Sequence, residues 1–315
     1  MALRSFPYPG SKAKFIDQIL PLIPKHEYYF EPFGGSGAVL LNKPQVRVEL
    51  FNDLNGAIIC FFRVMSDPKR YPEFEQRILR LPGPDQKTFD WAVKTTEEMS
   101  ADEMEIAVAW YYRITKAYAL KDKKICSVRN PFNILPSLPS LHLRLRTVSF
   151  YQMDAMEFIK KFCYKRNKSE PDNNSFWYID PPYPEEVVPE VKQLYLVQFT
   201  NENHRELLEF INSKIDEVKF LISGFHCPLY DEMLSFDKGW RLKEVKTPSR
   251  MSWLKNNGGQ AKFNTECLWY NYPVEPNREE GMYGRCDCGG EWIMKMGEWV
   301  CSNCGAKQEE ISYME

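Results

Sequence analysis

The stretch Phe176-Trp177-Tyr178-Ile179-Asp180-Pro181-Pro182-Tyr183 constrains the chain more than any other. Four apolar, mostly aromatic residues predict a strand buried on both faces of a parallel sheet. Proline cannot donate to a ladder and holds φ near −65°, so the strand must stop at Asp180 with a stiff loop behind it. In open α/β sheets the carboxyl edge of the strands is where ligands bind. A carboxylate, carbonyl oxygens with no neighbouring proline N–H to occupy them, and an aromatic ring can hold a planar base that carries an exocyclic amine. The competing reading is a strand that ends in an ordinary Pro-Pro turn, and the rest of the chain weighs against it.

Upstream, Tyr28-Tyr29-Phe30 predicts a short buried strand running into Glu31-Pro32-Phe33-Gly34-Gly35-Ser36-Gly37 and an apolar helix start at Ala38. Strand, glycine-rich turn and helix form the first βα unit of a nucleotide-type sheet. The turn is neither GxGxxG nor a P-loop, because no lysine follows it. A second strand, Val46 to Phe51, ends at Asn52-Asp53, and Asp53 lies 18 residues after Gly35. That spacing suits an acid taking ribose hydroxyls. Glycine turn and acid together predict a nucleoside-bearing cofactor that needs no phosphate site, which S-adenosylmethionine fits better than NAD or ATP.

Residues 66 to 146 break the sheet pattern and predict an inserted helical subdomain. Ser100-Ala101-Asp102-Glu103 predicts a capping box for a helix with Met104, Ala107, Val108, Tyr111 and Ile114 inward. Trp110, Tyr111 and Tyr112 are expected to pack rather than to contact bases. The sheet resumes at Thr147–Tyr151 and ends near Asp154. A helix capped by Asn201, a strand from Val218 to Ser223, a hairpin turn around Asn256-Asn257-Gly258-Gly259 and a last strand from Cys267 to Tyr272 follow.

Net charge is −2, but it is unevenly spread. Between Arg113 and Arg146 there are eight lysines and arginines against one acid, Asp122. Between Arg241 and Phe263 there are six against Glu244. Such runs are often only solvated faces; two of them flanking a base-binding loop suggest nucleic acid. No apolar run is long enough to span a membrane and the N-terminus has no signal-peptide core, so the cytoplasm is expected, with no membrane partner.

Of the nine cysteines, Cys60, Cys126, Cys163, Cys227 and Cys267 are scattered and expected to be reduced and inert. Cys286-Asp287-Cys288 and Cys301-Ser302-Asn303-Cys304 are separated by twelve residues, each pair followed by glycine. They predict a structural zinc ribbon over 282–310, closed by four thiolates and therefore without catalytic chemistry. A unit of that size cannot build a sufficient core, so the metal would supply its folding energy.

Taken together, these motifs resemble the Dam-type (D12 class) family of N6-adenine DNA methyltransferases. The residues that carry the resemblance are Tyr8-Pro9-Gly10-Ser11-Lys12, Glu31 to Gly37, Asp53, Asp154, Asp180-Pro181-Pro182-Tyr183, Phe199-Thr200 with His204, and Thr265 to Tyr272. It covers most of residues 5 to 275. The resemblance implies an α/β fold with a Rossmann-like S-adenosylmethionine-dependent methyltransferase sheet and a mainly helical target-recognition insert; the C-terminal zinc ribbon is an addition. On this reading 1–65 is the cofactor-binding part, 66–146 the insert and 147–276 the catalytic part. It implies cofactor contacts from Tyr8, Lys12, Phe33, Gly35, Gly37, Asp53, Asp154 and Asp180, with Asp180, Pro181, Pro182 and Tyr183 as the catalytic loop. The implied substrate is an adenine flipped out of double-stranded DNA, in a bacterial or phage-type cytoplasm, with or without a cognate restriction endonuclease. The insert departs from the family at Asn130-Pro131-Phe132-Asn133, where a following glycine is absent, and this leaves the target sequence open. The rival readings are an RNA-adenine or cytosine-N4 methyltransferase and a non-catalytic nucleic-acid-binding module.

Overall fold

A computed structural model of the 315-residue chain describes residues 2–8, 10–116, 137–163, 174–184, 187, 199–248, 263–274, 292–295 and 298–301. Residues 1–272 form one compact unit and residues 273–315 a second.

After a short helical turn, α1 (Ile16–Ile19), the first unit alternates strands and helices: β1 (Tyr28–Glu31), α2 (Ala38–Asn42), β2 (Val48–Asn52) and α3 (Gly56–Ser66). Four helices follow, α4 (Tyr71–Arg80), α5 (Gln86–Glu98), α6 (Glu103–Lys116) and α7 (Leu138–Leu145). The sheet then continues with β3 (Val148–Tyr151), α8 (Ala155–Phe162), β4 (Ser175–Ile179), α9 (Asn201–Asn212), β5 (Lys219–Gly224) and α10 (Pro228–Met233). It closes with β6 (Arg241–Pro248) and β7 (Phe263–Tyr270). The seven strands stand in the order β3-β2-β1-β4-β5-β7-β6, with β7 antiparallel to both of its neighbours and the β3-to-β5 pairs parallel.

The expected central strand is β4, buried along its whole length and paired in parallel with β1 and β5. Its side chains feed both faces of the sheet. Trp177 stacks on Phe30 at 4.1 Å between ring centroids and packs with Phe158, Leu208 and Phe220 under α8 and α9. On the other side of the sheet, Phe62 from α3 packs against Phe51 and Phe150 of the sheet in an aromatic layer. Fully burying one such ring stabilises the fold by roughly 1.5–3 kcal/mol.

Helices α4 to α7 lie within the first unit, where α6 and α7 pack onto α3. Trp110, Tyr111 and Tyr112 are buried there, and the Tyr112 hydroxyl donates to the Gly83 carbonyl at 2.8 Å. The cap of α6 differs from the expected box. Asp102, not Ser100, accepts the Met104 and Glu105 N–H groups at 2.8 and 3.0 Å. Glu103 turns outward to Arg63 and Arg70 instead of back to the cap. The α9 cap also shifts, one residue earlier than expected, to Thr200, in a reciprocal box with Asn203.

The first basic run is not one charged face. Arg113 and Lys116 are buried, Arg113 pairing with Glu97 at 3.0 Å. Arg144 is held by the buried Glu49 at 2.6 Å, which Lys43 also grips. Lys121, Lys123, Lys124, Arg129 and the Asn130–Asn133 segment lie outside the described residues. Part of the second run forms β6, a strand that its alternation of exposed and half-buried residues marks but that the charge count hid. No described helix is long and apolar enough to cross a membrane.

In the second unit, β8 (Trp292–Lys295) and β9 (Glu298–Cys301) form an antiparallel pair in which Trp292 faces Cys301 in register. Cys286, Cys288 and Cys304 lie outside the described residues.

Candidate active site

The carboxyl ends of β1, β2 and β4 open onto one cleft enclosing about 1080 Å³, mouth included. This is the position a parallel sheet predicts for a ligand. The turn after β1 is bent by Gly35 and Gly37, whose φ angles of 51° and 65° side chains rarely tolerate. Gly34 is required for a different reason, because a Cβ there would sit 2.1 Å from the Phe51 ring. The Tyr8 ring leans over Gly35, so that a Cβ on Gly35 would meet it at 3.1 Å.

Asp53, just past β2, ties this turn down. Its Oδ2 accepts from the Gly35 N–H and its Oδ1 from the Asn55 N–H, both at 2.8 Å. Burial outweighs these bonds and pushes its carboxyl up to about 6. Asp154 caps α8, accepting from the Met156 and Glu157 N–H groups, and lines the same cleft. Phe33 and Pro182 also line it, with Phe33 edge-on to Phe199 at 5.2 Å.

Asp180 sits where β4 stops. Its Oδ1 accepts from Lys12 Nζ at 2.6 Å and from the Ser223 hydroxyl at 2.7 Å. Among the described residues no donor bonds to its Oδ2, and the side chain is 19% exposed toward the cleft. Lys12 is buried; it also donates to the Tyr183 hydroxyl at 2.9 Å and stands 3.4 Å from Glu266 Oε1. Burial alone would lower its pKa, but the carboxylates of Asp180 and Glu266 outweigh that and hold it well above the ordinary lysine value. Tyr183 donates to Glu266 at 3.2 Å and packs its ring on Phe225 at 4.5 Å. Pro181 is buried and is not among the residues lining the cleft.

The predicted residues therefore fall into two groups that meet at Asp180. Tyr8, Phe33, Gly35, Asp53 and Asp154 line the cleft, together with Lys12, Asp180 and Pro182. Gly37 shapes the turn from behind, and Tyr183 lies beside the Lys12 ammonium rather than on the cleft wall. Lys12 spends its donors on Asp180, Tyr183 and the Gly10 carbonyl.

Ser223 and Glu266 were not expected from the sequence. Glu266 had a signal, a carboxylate immediately before the apolar run Cys267–Tyr270; Ser223, closing an apolar strand, had almost none. Glu31, buried at the head of the glycine turn, accepts from the Tyr29 hydroxyl at 2.6 Å and the Leu40 N–H at 3.2 Å, and burial raises its carboxyl to about 8. His204 is buried with Nδ1 3.0 Å from the Tyr230 hydroxyl; burial lowers it to about 4, so the ring is neutral at pH 7.

Four acidic side chains (Glu31, Asp53, Asp154 and Asp180), of which burial keeps Glu31 protonated at pH 7, and one lysine line the cleft. The lysine is already paired. Such a site repels phosphate and favours a ligand with hydroxyls and positive charge. Asp180 Oδ2, held in place by bonds to the other oxygen, can accept a hydrogen from an amine.

A family model described as D12 class N6 adenine-specific DNA methyltransferase matches residues 8–250. The DNA adenine methylase of Escherichia coli K12 is 24% identical over 269 residues, 83% of this chain and 92% of that one. The DNA adenine methylase of Salmonella typhimurium LT2 is 25% identical over 273 residues, with the same coverage of each chain. Among solved structures, precorrin 8W decarboxylase of Methanobacterium thermoautotrophicum is similar over 85% of this chain and 94% of that chain, at 12% identity and a TM-score of 0.35, too loose to bear on activity. With the family match spanning most of its length, the chain belongs to the D12 class N6 adenine-specific DNA methyltransferases.

Proposed function

We propose that the chain transfers the methyl group of S-adenosylmethionine to N6 of an adenine rotated out of duplex DNA at a specific sequence. The reaction class, N6 methylation of adenine in DNA, is that of its family. The observation that carries the residue assignment is Asp180: one oxygen tied to Lys12 and Ser223, the other open to an acidic cleft.

The cleft suits the cofactor by its chemistry. Asp53 keeps lone pairs for ribose hydroxyls, the glycine turn allows close backbone approach, and the carboxylates favour a ligand carrying ammonium and sulfonium charges. Tyr8, Phe33 and Asp154 would complete the binding walls. Bound there, the cofactor supplies an electrophilic methyl group. The strand order, with β7 reversed beside β5, supports a Rossmann-like methyltransferase sheet.

Adenine N6 is a poor nucleophile because its lone pair is delocalised into the ring. Asp180 Oδ2 and the Pro181 carbonyl would accept its two hydrogens and turn the lone pair out of the ring plane. Fixed acceptors and positioning do most of this work, and no strong base is required because the nitrogen becomes acidic only as it is methylated. Stacked bases do not present N6 in this way, so the target must leave the helix. Tyr183, braced by Lys12, Glu266 and Phe225, would support the extruded base, within the ~1–3 kcal/mol usual for base–aromatic contacts. The helical block of 66–146 is assigned to target recognition.

The C-terminal cysteines are assigned to one structural zinc. The β8–β9 hairpin, lying between the two cysteine pairs and ending on Cys301, supports a ribbon.

Methyl transfer from labelled S-adenosylmethionine to duplex DNA, followed by base-resolved mapping, tests the function. Label should appear on adenine N6 at one recurring sequence. Asp180→Ala should retain the fold and less than about a tenth of kcat, a loss above ~1.4 kcal/mol. Transfer to RNA or to cytosine alone would overturn the assignment.

A further inference from the structure

We propose that His226, Glu244 and Cys267 form a binding site for one zinc-class dication, on the opposite face of the sheet from Asp180. The three residues come from three segments: the turn after β5, the edge strand β6, and β7. Gly224, Cys267 and Glu244 stand in one cross-strand row, so Cys267 and Glu244 share a face. His226 follows Gly224 by two residues and returns over that row.

Their ligand atoms, an imidazole nitrogen, a carboxylate oxygen and a thiol sulfur, all lie within 4.8 Å of one another. Nε2 of His226 is 2.8 Å from Glu244 Oε1. The ring's other nitrogen, Nδ1, is 2.6 Å from Asp231 Oδ1. This second contact suits a metal-binding histidine. A metal-binding histidine characteristically gives its remaining N–H to a carboxylate, which fixes the tautomer and leaves the opposite nitrogen free to coordinate. The ring is further set edge-on to the Trp269 indole at 6.0 Å.

One nitrogen, one oxygen and one sulfur donor suit Zn²⁺ or Co²⁺ and suit Mg²⁺ or Ca²⁺ poorly, since those prefer all-oxygen shells. Loading would release the thiol proton, and any proton shared between Nε2 and Glu244, to solvent. His226 and Glu244 are 41% and 47% exposed, which gives the ion a route in, while Cys267 closes the site from below.

The site braces both sides of the catalytic loop's support. Glu266, the neighbour of Cys267, points to the other face and meets Lys12 and Tyr183. Phe225, the neighbour of His226, carries the Tyr183 ring. A metal joining β5, β6 and β7 at this row would hold both in register.

The same contacts also fit a protonated imidazole between two carboxylates, a reading that does not use the thiol, and the experiment separates the two. The full-length protein, its His226→Gln variant and its Cys267→Ser variant are loaded with Zn²⁺ and, separately, with Co²⁺. The C-terminal cysteines contribute equally to all three, so the difference in stoichiometry is the readout. Wild type should bind one equivalent more than His226→Gln. A full-length chain with Cys286, Cys288, Cys301 and Cys304 replaced by serine should still bind one Co²⁺ with a thiolate charge-transfer band, lost on adding Cys267→Ser. His226 is half-exposed, so its glutamine variant keeps the fold, and the comparison in the intact chain stands even where the serine variants fail to fold. Equal metal content in wild type and His226→Gln would overturn the site and leave only the ion-paired histidine.

Discussion

Lys12 and Asp180 are 168 residues apart in sequence and 2.6 Å apart in space. Their pairing joins a turn near the N-terminus to the end of the central strand. Glu266, from the last strand of the sheet, stands 3.4 Å from the same ammonium. One buried cation thus bridges two carboxylates from different parts of the sheet and orients the oxygen assigned to the substrate amine.

Replacing Lys12 by methionine should expose that dependence. Removing one partner of a buried pair leaves uncompensated charge, a cost of about 3–5 kcal/mol. In the wild type, the lysine pKa is raised by pairing, so its contribution is complete below the ordinary lysine value of about 10.4 and is lost only as pH rises through the higher folded value. In Lys12→Met, Asp180 and Glu266 repel each other, and the lower limb of the kcat–pH profile should move to higher pH. An unchanged melting temperature together with an unchanged profile would remove Lys12 from this role.

Asp53 gives a pH dependence of opposite sense for the cofactor. Its carboxyl, raised to about 6, must be ionised to serve best as an acceptor for ribose hydroxyls. Affinity for S-adenosylmethionine should therefore weaken as pH falls from 7.5 through 6. Asp53→Asn should bind more weakly at pH 7.5, by about tenfold, and show a flatter pH profile. Calorimetry of both proteins across this range checks it; equal affinities at pH 7.5 would sink the ribose assignment.

Glu31 should make the fold less stable in base. With a folded pKa of about 8 against the ordinary 4.5, the native state keeps a proton that the unfolded chain has lost. Stability therefore falls as pH rises from about 4.5 to 8, with a slope of at most about 1.4 kcal/mol per pH unit. Glu31→Gln imitates the protonated form. It should match wild type near pH 4.5 and melt higher than wild type at pH 8. Parallel melting curves at both pH values would show that Glu31 is not buried in its neutral form.

A chain ending at Pro276 should bind S-adenosylmethionine with near-native affinity, because residues 1–272 already form a compact unit containing every cleft residue. The full-length protein should carry ribbon zinc that is lost on Cys301→Ser. A folded, soluble truncated protein unable to bind the cofactor would contradict the separation. A Cys301→Ser protein with undiminished zinc would remove the ribbon.

Much of this architecture is encoded locally. The run Phe176–Ile179 ending on Asp180-Pro181-Pro182 could only become a buried strand with a stiff carboxyl-end loop, because proline forbids continuation and four apolar residues demand cover on both faces. The bend at Gly35 and Gly37 is likewise written in residue type, since positive φ selects glycine. The starts of α6 and α9 were legible to within two residues. Asp102 and Thr200 took the caps expected of Ser100 and Asn201, because neighbouring polar side chains compete for the same free N–H groups.

What the sequence by itself did not determine is which distant polar groups would meet. Lys12 reads as a cation in a turn, Ser223 as the close of an apolar strand, and Glu266 as an anomaly in another. Only the order β4-β5-β7 puts Ser223 and Glu266 on the face that holds Asp180 and Lys12. The basic run from Arg113 to Arg146 makes the same point in reverse. Its charge was plain, yet Arg113, Lys116 and Arg144 turn inward, two of them to acids, Glu97 and Glu49. Periodicity and turn chemistry act over a few residues and can be read along the chain. Charge pairing and burial act through space, and their partners are settled only when the sheet assembles.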